Sequence, residues 1–238
     1  MATYKIRLKS RNEAASGTMA FHFEKPNGFA FEPGQCGDFT LPNPPQNDAE
    51  GNKRSFSLAS APYEDDLFIT TRMRDTAFKR SLKIVALGTE FDLEAPWGEL
   101  TLHSDTRIPA VFLTGGIGIT PVRSIVLQAT HDRLAHPLFL FYSNRTPKDA
   151  AFLDELTSAQ RQNPNFTLTA TMTEANNTQW SGETGYIDEA MLKRHLPDLM
   201  HPIYYLTGPP EMVAAMQKLL KNAGVKETNI RAEEFSGY

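Results

Sequence analysis

The run Leu113-Thr114-Gly115-Gly116-Ile117-Gly118-Ile119-Thr120-Pro121 joins an unbroken apolar stretch, Pro109 to Leu113, to apolar residues at helical spacing, Val122, Ile125, Val126 and Ala129. Glycines at such a junction let a ligand lie against bare backbone, and the free amides of a helix start attract an anion such as a pyrophosphate. The spacing is not G-x-G-x-x-G, so an unliganded glycine turn stands beside the dinucleotide loop as an alternative. A second group, Arg54-Ser55-Phe56-Ser57-Leu58-Ala59-Ser60, gathers a cation suited to phosphate, an aromatic suited to a flat ring, and hydroxyls. On a strand, Arg54 and Phe56 share one side and Ser55 and Ser57 the other. Alone, that group also reads as a polar strand with one aromatic. In Tyr205-Leu206-Thr207-Gly208-Pro209-Pro210-Glu211-Met212 a strand gives way to a helix, the place where open parallel sheets collect ligands. The tail Arg231 to Tyr238 reads by itself as a closing strand.

The elements around these groups fall into two kinds. Through residue 104 apolar residues alternate, as in Tyr4, Ile6 and Leu8, in Leu67 and Ile69, in Phe91, Leu93 and Ala95, and in Leu100 and Leu102. Period two predicts half-buried strands of a barrel or sandwich, interrupted by one short helix near Phe78 to Ile84. Beyond residue 107, apolar strands (109–113, 137–142, 166–172, 203–206) alternate with helical periods, which predicts a parallel sheet covered by helices on both faces. Thr120-Pro121 and Thr146-Pro147 are expected to open two of these helices with an N-cap oxygen, and Gly224 to end the last. The expected division is 1–104 and 105–238.

Composition narrows the function. A net charge of −4 argues against nucleic acid or anionic lipid as a general partner, and no apolar run is long enough to insert in a membrane. The absence of a leader pattern in MATYKIRLKS makes the cytoplasm the default. Cys36 is the single cysteine, so this chain forms no internal disulfide and no four-thiolate cluster; a packed, inert thiol is expected. The six histidines have no metal-site spacing.

In order, R-S-F-S-L-A-S, G-G-I-G-I-T-P, G-P-P and E-E-F resemble the ferredoxin–NADP reductase superfamily over essentially the whole chain. The resemblance implies an N-terminal antiparallel Greek-key β-barrel binding FAD, less often FMN, and a C-terminal α/β domain binding NAD(P)H. It implies that Arg54 meets flavin phosphate, Phe56 stacks on the ring, Ser57 faces N5, Ser60 holds the turn, and Arg72, Thr76 and Ala77 approach the pyrophosphate. Thr114, Gly115, Gly116, Gly118 and Thr120 would cradle the nicotinamide nucleotide, Gly208 and Pro209 would line its slot, and Arg145 would meet a 2′-phosphate. Phe235, or Tyr238 beyond it, would cover the flavin. Gly98 matches a family turn, and Trp97 is read as packing. Phe56 stands where tyrosine is common, and Thr207 where many relatives carry cysteine. The implied activity is hydride transfer from NAD(P)H to the flavin, with Ser57 and Phe235 as the catalytic contacts, and electron delivery to a separate ferredoxin, flavodoxin or oxygenase component. A free flavin or quinone reductase, and a subunit of a larger complex with little activity alone, are the alternatives.

Overall fold

Alternation becomes burial in β1 (Ala2–Ala15), where Ile6 and Leu8 are buried while Lys5, Arg7 and Lys9 face solvent. The computed structural model describes residues 2–175 and 179–235. β2 (Thr18–Glu24), β3 (Cys36–Thr40), β4 (Lys53–Ser57), β5 (Asp66–Arg72) and β6 (Glu90–Trp97) complete an antiparallel sheet with the order β4-β3-β6-β1-β2-β5. Insertion of β6 between β3 and β1 is the long return of a Greek key. The sheet wraps a core that includes Phe21, Phe23, Phe39, Leu67, Ile69 and Phe91. One helix, α1 (Ala77–Ile84), lies against that core through Phe78 and Leu82, and Thr76 caps it by accepting from the Lys79 amide at 3.4 Å.

The second half alternates β7 (Ala110–Gly115), α2 (Ile119–His131), β8 (Leu138–Asn144), α3 (Leu153–Gln162), β9 (Phe166–Met172), β10 (Glu183–Thr184), α4 (Glu189–His195), β11 (Ile203–Gly208), α5 (Pro210–Asn222) and β12 (Ile230–Glu234). The strands form one sheet, β10-β9-β8-β7-β11-β12, in which every pairing is parallel. β7 is buried at every position: Ala110 and Phe112 pack toward α2 and α3, Val111 and Leu113 toward α4 and α5. Helices on both faces explain its unbroken apolar sequence.

Three expectations need correction. Thr120 is not an N-cap: a 3-10 turn, Gly116–Gly118, runs straight into α2, and the Thr120 hydroxyl donates back to the Ile117 carbonyl at 3.1 Å. Thr146 heads only the 3-10 turn Pro147–Asp149, binding the Asp149 carboxylate at 2.7 Å; α3 starts after Phe152, whose φ of 62° breaks the turn. Leu100 and Leu102 belong to no strand. They lie in the connection between β6 and β7 and pack on the core beneath α2, which gives that connection its apolar residues. The expected end of the last helix holds, with Gly224 at φ 90° two residues past α5.

Candidate cofactor site

The end of β5, the start of α1, strand β4 and the start of α2 enclose a cavity of about 560 Å³. Its walls hold Arg54, Arg72, Arg74 and Lys79 against one carboxylate, Glu50. Arg54 lies over the Phe78 ring at 5.4 Å, donates to the carbonyls of Glu50, Gly51 and Lys53, and pairs with the Glu50 carboxylate at 2.8 Å. Burial, followed by the charges of Arg74 and Arg54, pushes the Lys79 ammonium down to about 8. Four cations crowded around one carboxylate are under-neutralised and fit a di-anionic group such as a diphosphate.

Phe56 stands at the inner end of this cavity, with its ring 5.9 Å from Phe39 and 6.0 Å from Phe78. Beside it the Ser57 hydroxyl is buried and has no hydrogen-bond partner among the described residues, and the same holds for Thr70. A smaller cavity of about 200 Å³ continues from Phe56 and Ser57 to Phe235, Glu233, Cys36 and Trp97. Phe235 is held there by its amide, which donates to the Gly208 carbonyl at 3.0 Å. Tyr238, the alternative cover, lies outside the described residues. Trp97, read from sequence as packing alone, is in this wall, and its indole N–H has no partner among the described residues. The Cys36 thiol is pushed up to about 12 by burial, so it stays protonated and is a poor nucleophile. Burial also raises the Glu233 carboxyl.

A second cavity, of about 680 Å³, opens over the carboxyl ends of β7, β8, β9 and β11. Gly115, Gly116 and Pro209 form its inner end, and Arg145 and Glu174 its outer rim, beside Tyr186, which is 81% exposed. Neither the Arg145 guanidinium nor the Glu174 carboxylate has a hydrogen bond or ion pair among the described residues. Arg72 lines both this cavity and the cation-walled one. Two glycines are sterically required at the junction. A Cβ on Gly118 would sit 2.6 Å from the Thr207 carbonyl, and Gly208, at φ 152°, lies with its Cβ direction 3.2 Å from the Gly115 amide nitrogen.

The structure therefore brings Arg54, Phe56, Ser57, Arg72, Thr76, Thr120 and Phe235 around one cavity, and Gly115, Gly116, Arg145 and Pro209 around its neighbour. Five expected site residues line neither. Ala77 is buried with its amide on the Asp48 carboxylate; Ser60 accepts the Phe68 amide behind the cleft. Thr114, Gly118 and Gly208 form the floor where β7, β11 and α2 touch. Lys79, Arg74, Glu174 and Tyr186 were not singled out from sequence. The basic spacing of Arg72, Arg74 and Lys79 was a usable signal for the first two; nothing local marks the others.

A family model for an oxidoreductase NAD-binding domain matches residues 112–218. The chain is 29% identical over 220 residues to the propane 2-monooxygenase reductase component of Rhodococcus jostii, covering 89% of this chain and 57% of that protein. It is 31% identical over 157 residues to one component of the Na(+)-translocating NADH-quinone reductase of Pseudomonas paraeruginosa, covering 63% of this chain and 38% of that protein. Against solved structures it superposes with a TM-score of 0.79 on a ferredoxin NADP+ reductase from Neisseria gonorrhoeae with bound FAD and NADP, at 21% identity and 98% coverage of each chain. Residues 112–218 match the oxidoreductase NAD-binding domain family, and the chain as a whole shares the fold of this reductase. The FAD/NAD binding domain of a Vibrio cholerae nitric oxide dioxygenase superposes with a TM-score of 0.82 at 18% identity, over 97% of this chain and 98% of that one. In the reductase fold so shared, an antiparallel sheet precedes a parallel one, as the alternation followed by apolar strands predicted. The chain spans about half the length of the curated relatives it matches. Among the described residues no helix is long and apolar enough to cross a membrane, and no group of His, Cys, Asp or Glu is placed to hold a metal ion.

Proposed function

We propose that the chain is an FAD-dependent NAD(P)H oxidoreductase that passes electrons to a separate redox protein, such as a ferredoxin, a flavodoxin or an oxygenase component. The observation that carries this reading is the junction of two cavities. The cation-walled one ends at Phe56 and Ser57, the glycine-floored one starts at Gly115, and Arg72 belongs to both. Residues 1–104 hold the flavin in this reading and 105–238 the nucleotide, and the protein works in the cytoplasm.

The residues fit FAD. Arg54, Arg74 and Lys79 supply the charge a diphosphate needs, Phe56 a face for the ring, and the Ser57 hydroxyl a free donor and acceptor. Arg54, paired with Glu50 here, would be available to a flavin phosphate. Bound FAD supplies a two-electron hydride acceptor that gives electrons onward singly. The protein orients: Phe235, in the wall of the small cavity beside Phe56 and Ser57, would shield a bound ring, and Gly115, Gly116 and Pro209 would leave room for a nicotinamide nucleotide. The low-reactivity Cys36 takes no part.

The test is the visible spectrum of purified protein, titrated anaerobically with NADH and with NADPH. Flavin bands that bleach with either nucleotide support the reading. A colourless protein that takes up neither FAD nor FMN overturns it. A second reading, an electron-transfer subunit of a larger assembly, is favoured by the partial span of the relatives, and slow bleaching that speeds up only with a partner would select it.

A further inference from the structure

Arg123, in the second turn of α2, is 3% exposed, which is rare for a guanidinium, and each of its faces and donors is used. Nη1 donates to the Ala59 carbonyl at 2.7 Å and to Glu64 at 2.8 Å; Nη2 donates to Glu64 at 3.0 Å and to Glu155 at 2.6 Å; Nε donates to Glu155 at 2.7 Å. Five N–H donors make five hydrogen bonds. The planar group lies 4.6 Å from the Phe68 ring centre and 5.1 Å from that of Phe152. The next residue repeats the tie, with the Ser124 hydroxyl donating to the Ser60 carbonyl at 2.7 Å.

These contacts cross between the two sheets. Ala59, Ser60, Glu64 and Phe68 follow β4 on the flavin side; Arg123, Ser124, Phe152 and Glu155 belong to the nucleotide side. Ala59 and Ser60 come directly after the strand that ends at Ser57, while Arg123 and Ser124 lie one turn past Thr120, and Ser57 and Thr120 line the same cavity. Apolar side chains often fill such an interface as stably as a buried ion triad does, so what distinguishes the triad is the direction of its bonds. Here they run from one planar fork to a carbonyl and two carboxylates.

We propose that Arg123, assisted by Ser124, is a positioning residue that sets the distance between the flavin-facing strand and the nucleotide-facing loop, and so the rate of hydride transfer. The proposal rests on the flavoenzyme reading above. A displacement of about 1 Å at a reacting centre costs on the order of 100-fold in rate.

The variants are Arg123→Met, Arg123→Lys and Ser124→Ala in the full chain loaded with FAD. Stopped-flow reduction at saturating NADH is measured together with the KM for NADH, the melting temperature and trypsin cleavage at Arg107. That side chain is 87% exposed in the connection between the two sheets, and the cut is followed as the 1–107 fragment. Expected are an approximately 10- to 100-fold slower reduction in Arg123→Met, a KM changed by less than about threefold, and faster cleavage, with smaller effects in Arg123→Lys and Ser124→Ala. Folded Arg123→Met that reduces its flavin within twofold of the parent overturns the proposal. Should Arg123→Met fail to fold, Ser124→Ala and Arg123→Lys decide by the same criterion, measured well below their melting temperatures. Cleavage at Arg107 needs no cofactor: unchanged rates in every variant overturn the tie itself. A parent that takes up no flavin, with faster cleavage in Arg123→Met, fails the flavoenzyme reading and supports the tie.

Discussion

Thr114 and Thr207 share a hydrogen bond of 2.9 Å between their hydroxyls, joining the carboxyl ends of the adjacent strands β7 and β11 beneath the glycine floor. Thr207 is 1% exposed, and its hydroxyl is directed to Thr114 within the sheet. Its contribution is to the floor.

Replacing Thr207 by Val leaves the Thr114 hydroxyl buried with no partner, at a cost of about 1–2 kcal/mol. For a chain of this size that corresponds to a melting temperature lower by roughly 2–8 °C. Thr207→Ser keeps the bond and stays close to the parent. Thermal melts of the three proteins test this, and a Val variant as stable as the parent would refute it.

Gly118→Ala forces a methyl to within 2.6 Å of the Thr207 carbonyl, which is backbone and has little room to yield. Overpacking of this kind costs on the order of 1–3 kcal/mol. Because the same contact holds the glycine loop against β11, nucleotide binding weakens as well. Calorimetric titration with NADH, beside the melting temperature, reads both effects.

The pH dependence of flavin binding follows from Lys79, whose ammonium is lowered to about 8 by burial. Between that value and the unfolded value of 10.5, the unfolded chain binds more protons at this group, so its contribution makes stability rise with pH across the window. Diphosphate reverses the local preference by favouring the charged amine. FAD affinity of the apoprotein therefore falls as pH rises from 7 to 9.5, with proton uptake on binding. Lys79→Met loses that slope. Fluorescence titrations over this range check it, and equal slopes in both proteins would count against the assignment.

At the outer rim of the nucleotide cavity, Glu174 follows β9 and Arg145 follows β8, and the Glu174 amide donates to the Arg145 carbonyl at 2.8 Å. A carboxylate favours a ribose diol and repels a 2′-phosphate, and Asp149 adds a second negative charge to the same wall. NADH is thus expected over NADPH. Glu174→Arg should move the ratio of kcat/KM values toward NADPH by about tenfold or more, corresponding to about 1.4 kcal/mol of differential binding. Arg145→Ala should affect NADPH more than NADH.

Much of the fold was legible in the chain because burial imposes a period. Ile6 and Leu8 alternate with charged residues where one face of a strand meets the core, and Val111 to Leu113 run unbroken where both faces do. Helix starts were less legible. Thr120 and Thr146 both precede proline, yet local 3-10 turns and the φ of Phe152 decide where the helices begin, and the Phe152 ring packs against Arg123 and Phe68, far from it in sequence. In the candidate site, residues close in sequence to a motif lie together: Arg54, Phe56 and Ser57 line one cavity, and Gly115 and Gly116 the other. Glu174 and Trp97 arrive from strand ends whose neighbours are set by sheet order, which no local spacing encodes. Arg123 sits two residues past the glycine motif and was read only as part of a helix; its two carboxylates are 59 and 32 residues away.

Arg72 stands in the wall of both cavities, so two anionic occupants would share the charge of one residue. Whichever binds first uses part of its field, and the second finds a weaker attraction. Linkage requires that penalty to be mutual. On the flavoenzyme reading proposed above, a protein loaded with FAD would grip the dinucleotide less firmly than the empty scaffold, and a spent nucleotide would depart sooner.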